Sequence, residues 1–218
     1  NVIKTTVDDQ LATTFRGFEV VPGIDEVIAS AGMEKKVLCL DPHVPNLLAV
    51  SPGVDLTKTD AYKAGEIILQ DKASCFPAYL LDPRTEDGDI IDACSAPGNK
   101  TTHLAAVLHP RRGFAAGQKR KQRIFAFEKD PERAKTLEKM VAMAGADRDV
   151  VIRGGQDFLK VDPYAPEYAH VGALLLDPSC SGTGIVGRDD APEFHLPSVP
   201  SQGKNAKSNP KKRKHQTT

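Results

Sequence analysis

From residue 88 onward, short apolar segments alternate with segments of helical composition. The apolar segments are DIIDAC, RIFAFEKD, DVVIRG and VGALLLDPSC, and the helical ones are NKTTHLAAVL and PERAKTLEKMVAMAGA. Apolar runs of this length are typical of buried strands, and Pro131 stands near the first turn of the second helix. Strands that alternate with helices indicate a parallel sheet covered on both faces. The chain is therefore predicted to have an α/β fold with a doubly wound parallel sheet.

Acidic residues stand where the predicted strands end. Asp92 and Glu128 close the first and second strands, Asp157 comes shortly after the third, and Asp177 follows the fourth. An open parallel sheet binds its ligands outside the carboxyl ends of its strands. The sequence therefore predicts a ligand site at this rim, surrounded by carboxylates.

The loop after the first strand, DACSAPGNKTT, resembles a phosphate-binding loop but departs from one. A Walker loop has lysine directly after its second glycine, whereas Asn99 separates Gly98 from Lys100, and Ala93 stands where the first glycine belongs. The carboxylates at the rim would also repel a triphosphate. A nucleoside triphosphate site is therefore disfavoured.

Glu128 indicates a different ligand. An acidic residue at the end of the second strand can accept hydrogen bonds from both hydroxyls of a ribose. The predicted ligand is then a nucleoside with a small or cationic group in place of phosphates, and S-adenosylmethionine fits, because its carboxylate can bind the N–H groups that begin a helix. The alternative for Glu128 is an exposed acid at a strand end.

Cys180 lies on a turn rich in glycine and serine, LLLDPSCSGTG, three residues after Asp177. Turn N–H groups could lower the pKa of this thiol below its free value of about 8.5 and make it reactive. A small structural cysteine in the core is an equally good interpretation. The four cysteines lie far apart with no Cys-x-x-Cys pair, which argues against a zinc site and a disulfide framework, so no metal is predicted.

A net charge of zero conceals two basic segments. Residues 109–123 and 201–218 each carry six lysines and arginines and no acid. They suit a polyanionic partner, or they are solvated surface segments. PKKRKH at 210–215 is typical of a nuclear localisation signal, with a nucleic-acid-binding tail as the alternative. No apolar run approaches the roughly 20 residues that cross a bilayer, so no membrane partner is expected.

Three ordered motifs, DACSAPGNKT, FAFEKDPER and LLLDPSCSGTG, resemble the Nop/Sun (RsmB-like) family of RNA cytosine-5 methyltransferases. The preceding AGEIILQDKASCFPAYLLDP resembles that family's approach to its cofactor motif, and the resemblance covers residues 1–188. APGNKT and DPSCSG are similar to the eukaryotic branch that acts on large-subunit ribosomal RNA. The resemblance implies a Rossmann-like methyltransferase fold using S-adenosylmethionine, preceded by a small RNA-contacting α/β lobe.

This resemblance divides the chain into a remnant of the lobe at 1–60, the first part of the methyltransferase domain at 61–188, and a disordered basic tail at 189–218. We expect a nuclear or nucleolar monomer whose partner is RNA, with the basic segment 109–123 contacting phosphates. The resemblance also assigns roles at the site: Glu128 takes the ribose hydroxyls, where the family usually has aspartate, with Arg133 beside it; Asp157 approaches the adenine; Asp177 lies between the cofactor and the target base. The loop around the methionine end comprises Cys94, Ser95, Ala96, Pro97, Gly98, Asn99 and Lys100.

The chemistry of cytosine sets the expected mechanism. A thiolate that adds to carbon 6, with an acid at ring nitrogen 3, makes carbon 5 nucleophilic toward a methyl group. The resemblance implies Asp177 as that acid and Cys180 as a cysteine that assists product release. The family's attacking cysteine stands in a Thr-Cys-Ser motif that this sequence lacks. We therefore expect a sequence cut short within the sheet, in preference to Cys180 acting alone. The alternative function is an RNA-binding protein that keeps the cofactor pocket without catalysis.

Overall fold

The computed structural model describes residues 1–114 and 121–179. Its N-terminal part begins with a helix whose Thr6 and Asp9 cap each other, and it contains three short strands. The elements are α1 (Val7–Ala12), β1 (Glu19–Val20), α2 (Ile24–Ala29), β2 (Val37–Leu40), β3 (Leu48–Val50) and α3 (Asp60–Lys63).

These strands form one small sheet in the order β1-β2-β3, with β1 parallel and β3 antiparallel to β2. The apolar segments KVLCL and LLAV form β2 and β3. Helix α2 ends at Ala29, and the chain turns at Ser30 before Gly32, which has φ of +77°. The small sheet has its own apolar core, in which Leu38 is fully buried beside Phe15 and Leu56.

The rest of the described chain alternates between helices and strands, as the sequence predicts. Every predicted strand and helix after residue 88 is present. The elements are α4 (Lys72–Leu81), β4 (Asp89–Asp92), α5 (Asn99–Leu108), β5 (Ile124–Glu128), α6 (Pro131–Ala144), β6 (Val150–Gly154) and β7 (Val171–Leu175).

The four later strands form one parallel sheet in the order β6-β5-β4-β7. The chain moves outward from β4 through β5 to β6, and then returns to the other side of β4 to form β7. This order is that of a Rossmann-like α/β fold, and the predicted fold class is confirmed. The reversal places the ends of β4 and β7 side by side at a switch point, which is where such sheets bind ligands.

Local sequence explains how the helices that flank the site begin and end. Asp130 caps α6 by accepting from the N–H groups of Glu132 (2.8 Å) and Arg133 (3.2 Å), and Gly145 ends it with φ of 75°. Helix α4 stops where Asp82 takes a positive φ of 41° in front of Pro83.

Helices cover one face of the large sheet. Leu104, Leu108 and Leu137 from α5 and α6 are fully buried there against Ile90 and Ile124. The other face carries Phe125 and Phe127, which pack against the ring of Tyr168 from the segment before β7.

One face of the sheet is partly exposed at β7 in the described part of the chain. Leu174 is 47% exposed and Leu176, just beyond the strand, is 60% exposed. Strand β7 pairs with β4 on one side, and no strand among the described residues pairs with its other side. As the outermost strand of this sheet, β7 lacks a covering element over Leu174 within the part of the chain that is described.

The described ends of the basic segment, His109–Phe114 and 121–123, lie at the rim opposite the strand carboxyl ends, because they follow α5 and precede β5. Three of its cations have acidic partners. Lys121 pairs with Asp149 (2.7 Å), Arg123 pairs with Asp89 (3.3 Å), and Arg111 pairs with Asp82. Residues 115–120 lie outside the described range, so RNA contact by this segment stays a prediction.

Cys180 and the tail at 189–218, with its PKKRKH sequence, also lie outside the described residues. Over the ranges that are described, we find no helix that is long and apolar enough to cross a membrane. The proposed domain boundaries stay predictions.

Candidate active site

The loop after β4 is held from inside by Asp92. Its carboxylate is fully buried and accepts from the Thr101 hydroxyl (2.7 Å) and from the N–H of Cys94 (3.4 Å). The Ser95 hydroxyl donates to the Asp92 carbonyl oxygen (2.8 Å), and the Ser95 N–H donates to the carbonyl of Phe127 on β5 (3.0 Å). Burial raises the pKa of Asp92. Asp92 thus shapes the loop and does not face the rim with the other acids.

Gly98 brings the loop into direct contact with α6. It has φ of +117°, which residues with a side chain rarely adopt. A Cβ atom there would lie 3.0 Å from Cβ of Met140 and 3.2 Å from Cδ1 of Leu137. Glycine is therefore required both by the backbone and by the packing.

Replacing Gly98 by alanine is expected to destabilise the chain by about 2 kcal/mol, from the positive φ and from the crowding against Met140. Urea unfolding followed by circular dichroism measures the change. Gly53, which has φ of +83° and open space around its Cβ position, is the matched control. Gly53→Ala carries only the cost of the positive φ. An equal loss of unfolding free energy in Gly53→Ala and Gly98→Ala would therefore show that packing on α6 contributes nothing.

Glu128 is buried at the end of β5, with 4% of its surface exposed. One carboxylate oxygen accepts from the N–H of Asp130 (2.9 Å), and the other lies 3.4 Å from Nη1 of Arg133. Arg133 also donates to the carbonyl of Ala96 (2.8 Å), so it joins the end of β5 to the loop after β4. The alternative of an exposed strand-end acid is wrong.

Cys94 presents an exposed thiol to the acidic rim. Partial burial of this thiol raises its pKa, and the negative charges of Asp92, Glu128 and Asp177 raise the pKa further. The positive charge of Arg133 lowers it. The thiol is therefore protonated at neutral pH and is a weak nucleophile.

Asp177 and Lys100 meet across the switch point. Nζ of Lys100 lies 2.8 Å from Oδ2 of Asp177, with the two side chains 23% and 44% exposed. Directly beneath them, the N–H of Ala93 donates to the carbonyl of Leu175 (3.1 Å). The residue predicted to act at the target base is therefore in contact with the first turn of α5.

The remaining predicted residues differ in their orientation. Asp157 follows β6 and its carboxylate caps a 3-10 turn at Phe158–Lys160 by accepting from the N–H of Leu159 (3.0 Å). Asn99 directs its amide toward the carbonyl of Leu69 (3.5 Å), on the side of α5 away from the acids. Pro97 is exposed beside buried Ala96. Asn99 thus contributes its backbone to the loop, and its side chain belongs to another surface.

Two contacts at the site were not predicted from the sequence. One is the pair between Asp92 and Thr101, and the other is the bond from Arg133 to Ala96. A threonine in the first turn of the helix after an acid-ending strand is a recognisable signal for the first, whereas the second depends on how the loop folds back. Among the described residues, no group of three or more histidines, cysteines or acids lies where it could hold a metal ion.

A doubly wound sheet with a buried acid at the end of β5 and a tight loop after β4 defines a nucleoside-binding α/β domain. Residues 78–196 match the family described as 16S rRNA methyltransferase RsmB/F, and residues 1–70 match the ferredoxin-like domain of NOL1/NOP2/Sun domain family member 5. The first match covers more than half of the chain. The chain belongs to the RsmB/F methyltransferase family, whose members use S-adenosylmethionine.

Two curated relatives are named for methylation of large-subunit RNA. The 25S rRNA (cytosine-C(5))-methyltransferase rcm1 of Schizosaccharomyces pombe is 44% identical over 191 residues, which cover 87% of this chain and 37% of that protein. The 28S rRNA (cytosine-C(5))-methyltransferase of Mus musculus is 38% identical, over 86% of this chain and 38% of that protein. The chain thus spans less than two fifths of each. The solved structure of PH0851 is 27% identical in sequence, with a TM-score of 0.49. The match covers 66% of this chain and 29% of the PH0851 chain.

Proposed function

We propose that this chain forms the cofactor-binding part of an enzyme that methylates carbon 5 of a cytosine in large-subunit ribosomal RNA. The observation that carries the proposal is the buried carboxylate of Glu128, which is tied by Arg133 to the loop after β4. Family membership and the names of the two relatives support the reaction and the RNA. The same names support a nucleolar location, since ribosomal RNA is made there.

The residues at the rim fit S-adenosylmethionine. An ionised carboxylate offers about four acceptor positions, and Glu128 uses one for the N–H of Asp130 and directs others to Arg133, which leaves acceptors for ribose hydroxyls. The first N–H groups of α5, a helix of ten residues, suit the carboxylate of the methionine end. Asp157, at the end of β6, is proposed to face the adenine. When bound, the cofactor supplies an electrophilic methyl group.

Asp177 and Lys100 are proposed to bind the target base. Their contact places a carboxylate and an ammonium together at the switch point, where they can hydrogen-bond the polar edge of a cytosine ring. Asp177 is proposed to hold or deliver the proton at ring nitrogen 3, and Cys180 is proposed to assist product release. We further propose that the chain works as a monomer.

Calorimetric titration of the 218-residue chain with S-adenosylmethionine tests the cofactor. We expect saturable binding, and no displacement by ATP with magnesium, because the rim carries Glu128, Asp157 and Asp177. Binding of ATP with magnesium, and none of S-adenosylmethionine, would contradict the proposal.

In a full-length enzyme that contains this chain and supplies the attacking cysteine, replacing Asp177 by alanine is expected to lower methyl transfer to a large-subunit RNA transcript by roughly 100- to 10,000-fold, the usual contribution of an acid–base group. Incorporation of tritiated methyl groups measures the rate, and binding of S-adenosylmethionine is measured in parallel. Asp147→Ala, at an exposed position at the other end of α6, is the control and is expected to keep full activity. Unchanged transfer in Asp177→Ala would remove Asp177 from the reaction.

A further inference from the structure

Residues 65–69, which we call the linking segment, follow α3 and contact both helices that flank the candidate site. The first residue of the segment lies against Met143 in the last turn of α6. The carbonyl of its last residue lies 3.5 Å from Nδ2 of Asn99, in the first turn of α5. Between these two contacts, Ile68 packs on the apolar core that α5 and α6 share. The linking segment thus bridges the end of α6 and the start of α5.

Gly65 makes the closest contact of the linking segment with α6. It is buried and has φ of +70°, and a Cβ atom there would lie 2.0 Å from the carbonyl oxygen of Met143 and 2.9 Å from its Cγ. A residue with a side chain fits at such separations only if the backbone of the segment or of α6 shifts. The nearest atom belongs to the backbone, which cannot rotate away as a side chain can. The contact is therefore a fixed point between the linking segment and the last turn of α6.

Side chains from the N-terminal part of the chain hold the backbone on either side of Gly65. Nζ of Lys4 donates to the carbonyl of Ala64 (2.7 Å), and Nε2 of Gln10 donates to Oε2 of Glu66 (2.9 Å). Moving the linking segment away from α6 would strain or break these hydrogen bonds. The displacement that a methyl group on Gly65 requires would therefore fall partly on α6.

The loop after β4 rests on the same helix, one turn away. A Cβ atom at Gly98 would lie 3.0 Å from Cβ of Met140. Met140 and Met143 are three residues apart, so they are neighbours on one side of α6. The residue after Gly98 is Asn99, whose amide faces the other end of the linking segment. The segment therefore supports this loop from two directions, through α6 and at the start of α5.

We propose that the linking segment positions the loop after β4 for S-adenosylmethionine, with Gly65 as the positioning residue. The inference rests on the proposed function, because that loop and the first N–H groups of α5 are the proposed site of the methionine end. Gly65 contacts the end of α6 opposite Arg133, so it acts through α6 and Asn99 and not on the ligand. Hydrogen bonds weaken steeply when their geometry changes. A displaced linking segment should therefore lower the affinity for the cofactor.

Calorimetric titration of the 218-residue chain with S-adenosylmethionine tests the role of Gly65. Gly65→Ala is expected to weaken binding by roughly 5- to 150-fold, the usual range for coupling between separate sites. Gly53→Ala is the matched control, because Gly53 has φ of +83° with open space around its Cβ position, and its affinity should equal that of the wild type. Circular dichroism shows whether each variant is folded. A folded Gly65→Ala with the affinity of the wild type would leave Gly65 with a structural role only and would overturn the inference.

Amide hydrogen exchange of the wild type gives a second measurement, which decides the matter if Gly65→Ala does not fold. Coupling between two sites is reciprocal, so bound S-adenosylmethionine should slow exchange in the linking segment. The reporter is Glu66, whose N–H donates to the carbonyl of Ala61 (2.8 Å). The reference is Val21, whose N–H donates to the carbonyl of Leu38 in the small sheet (2.8 Å) and should slow less. Equal slowing at Glu66 and Val21 would overturn the inference.

The wild type separates this inference from the proposed function. Failure of the wild type to bind S-adenosylmethionine would overturn the proposed function and this inference with it. Binding by the wild type, together with an unchanged affinity in folded Gly65→Ala, would overturn the role of the linking segment and leave the proposed function intact.

Discussion

Replacing Glu128 by glutamine is expected to weaken the binding of S-adenosylmethionine by at least 100-fold. A hydrogen bond to a charged group contributes about 1.5–3 kcal/mol, and the two ribose hydroxyls would each lose one to a neutral amide. Together they amount to roughly 3 kcal/mol, or about 100-fold in affinity. Glutamine would also direct an N–H group toward Arg133, which offers no acceptor. Calorimetric titration of both proteins measures the change.

Glu138→Gln is the matched control, because Glu138 is exposed on the same helix as Arg133. Its affinity for the cofactor should equal that of the wild type. Thermal unfolding of the Glu128 variant checks that the fold is retained. An affinity within threefold of wild type would show that the ribose is bound elsewhere.

Replacing Asp92 by alanine is expected to destabilise the chain by about 2–4 kcal/mol. The Thr101 hydroxyl and the N–H of Cys94 would both lose their buried acceptor, and each unsatisfied group costs about 1–3 kcal/mol. Urea unfolding measures the free energy. Asp147→Ala, at an exposed position, should stay within about 0.5 kcal/mol of wild type.

Asp92→Asn is expected to have an effect that depends on pH. Asparagine keeps an acceptor for Cys94, and the Thr101 hydroxyl can accept from the new amide. Because burial raises the pKa of Asp92, the native state holds this proton more tightly than the unfolded chain. In the wild type, the contribution of Asp92 to the free energy of unfolding is fully present below the unfolded pKa of about 3.9, and it is lost as pH rises through the native pKa. The stability of Asp92→Asn relative to wild type should therefore increase over that pH range, and a constant difference would contradict the assignment.

The sequence predicted the architecture well where local pattern and packing agree. The strand at Ile124–Glu128 is apolar up to its final acid and is buried on both sides, and Pro131 with Asp130 marks the start of α6 without ambiguity. The placement of acids after neighbouring strands rested on one rule, that parallel strands end at the same edge. These are properties of single elements and of their order along the chain.

Side-chain direction at the site could not be predicted in the same way. Asp92 and Glu128 both end strands, yet one carboxylate lies inside the loop and the other faces Arg133. The amide of Asn99 points to Leu69 because the first turn of α5 rotates it away from the acids. Leu174 is exposed because β7 is the outer strand of the sheet, and the residue types within β7 do not indicate which elements pack against it.

The absence of a Cβ at Gly98 links the ligand to the middle of α6, beyond the first turn that carries Arg133. The loop rests on Met140 and Leu137 with no room for a methyl group, so it cannot swing outward without loosening the middle of α6. A bound nucleoside that restrains this loop should therefore slow amide hydrogen exchange along α6, several turns from the ribose, and raise the melting temperature in proportion to the logarithm of ligand concentration. Occupancy is thus readable from the backbone amides in the middle of α6, in a chain of 218 residues without tryptophan to report it by fluorescence.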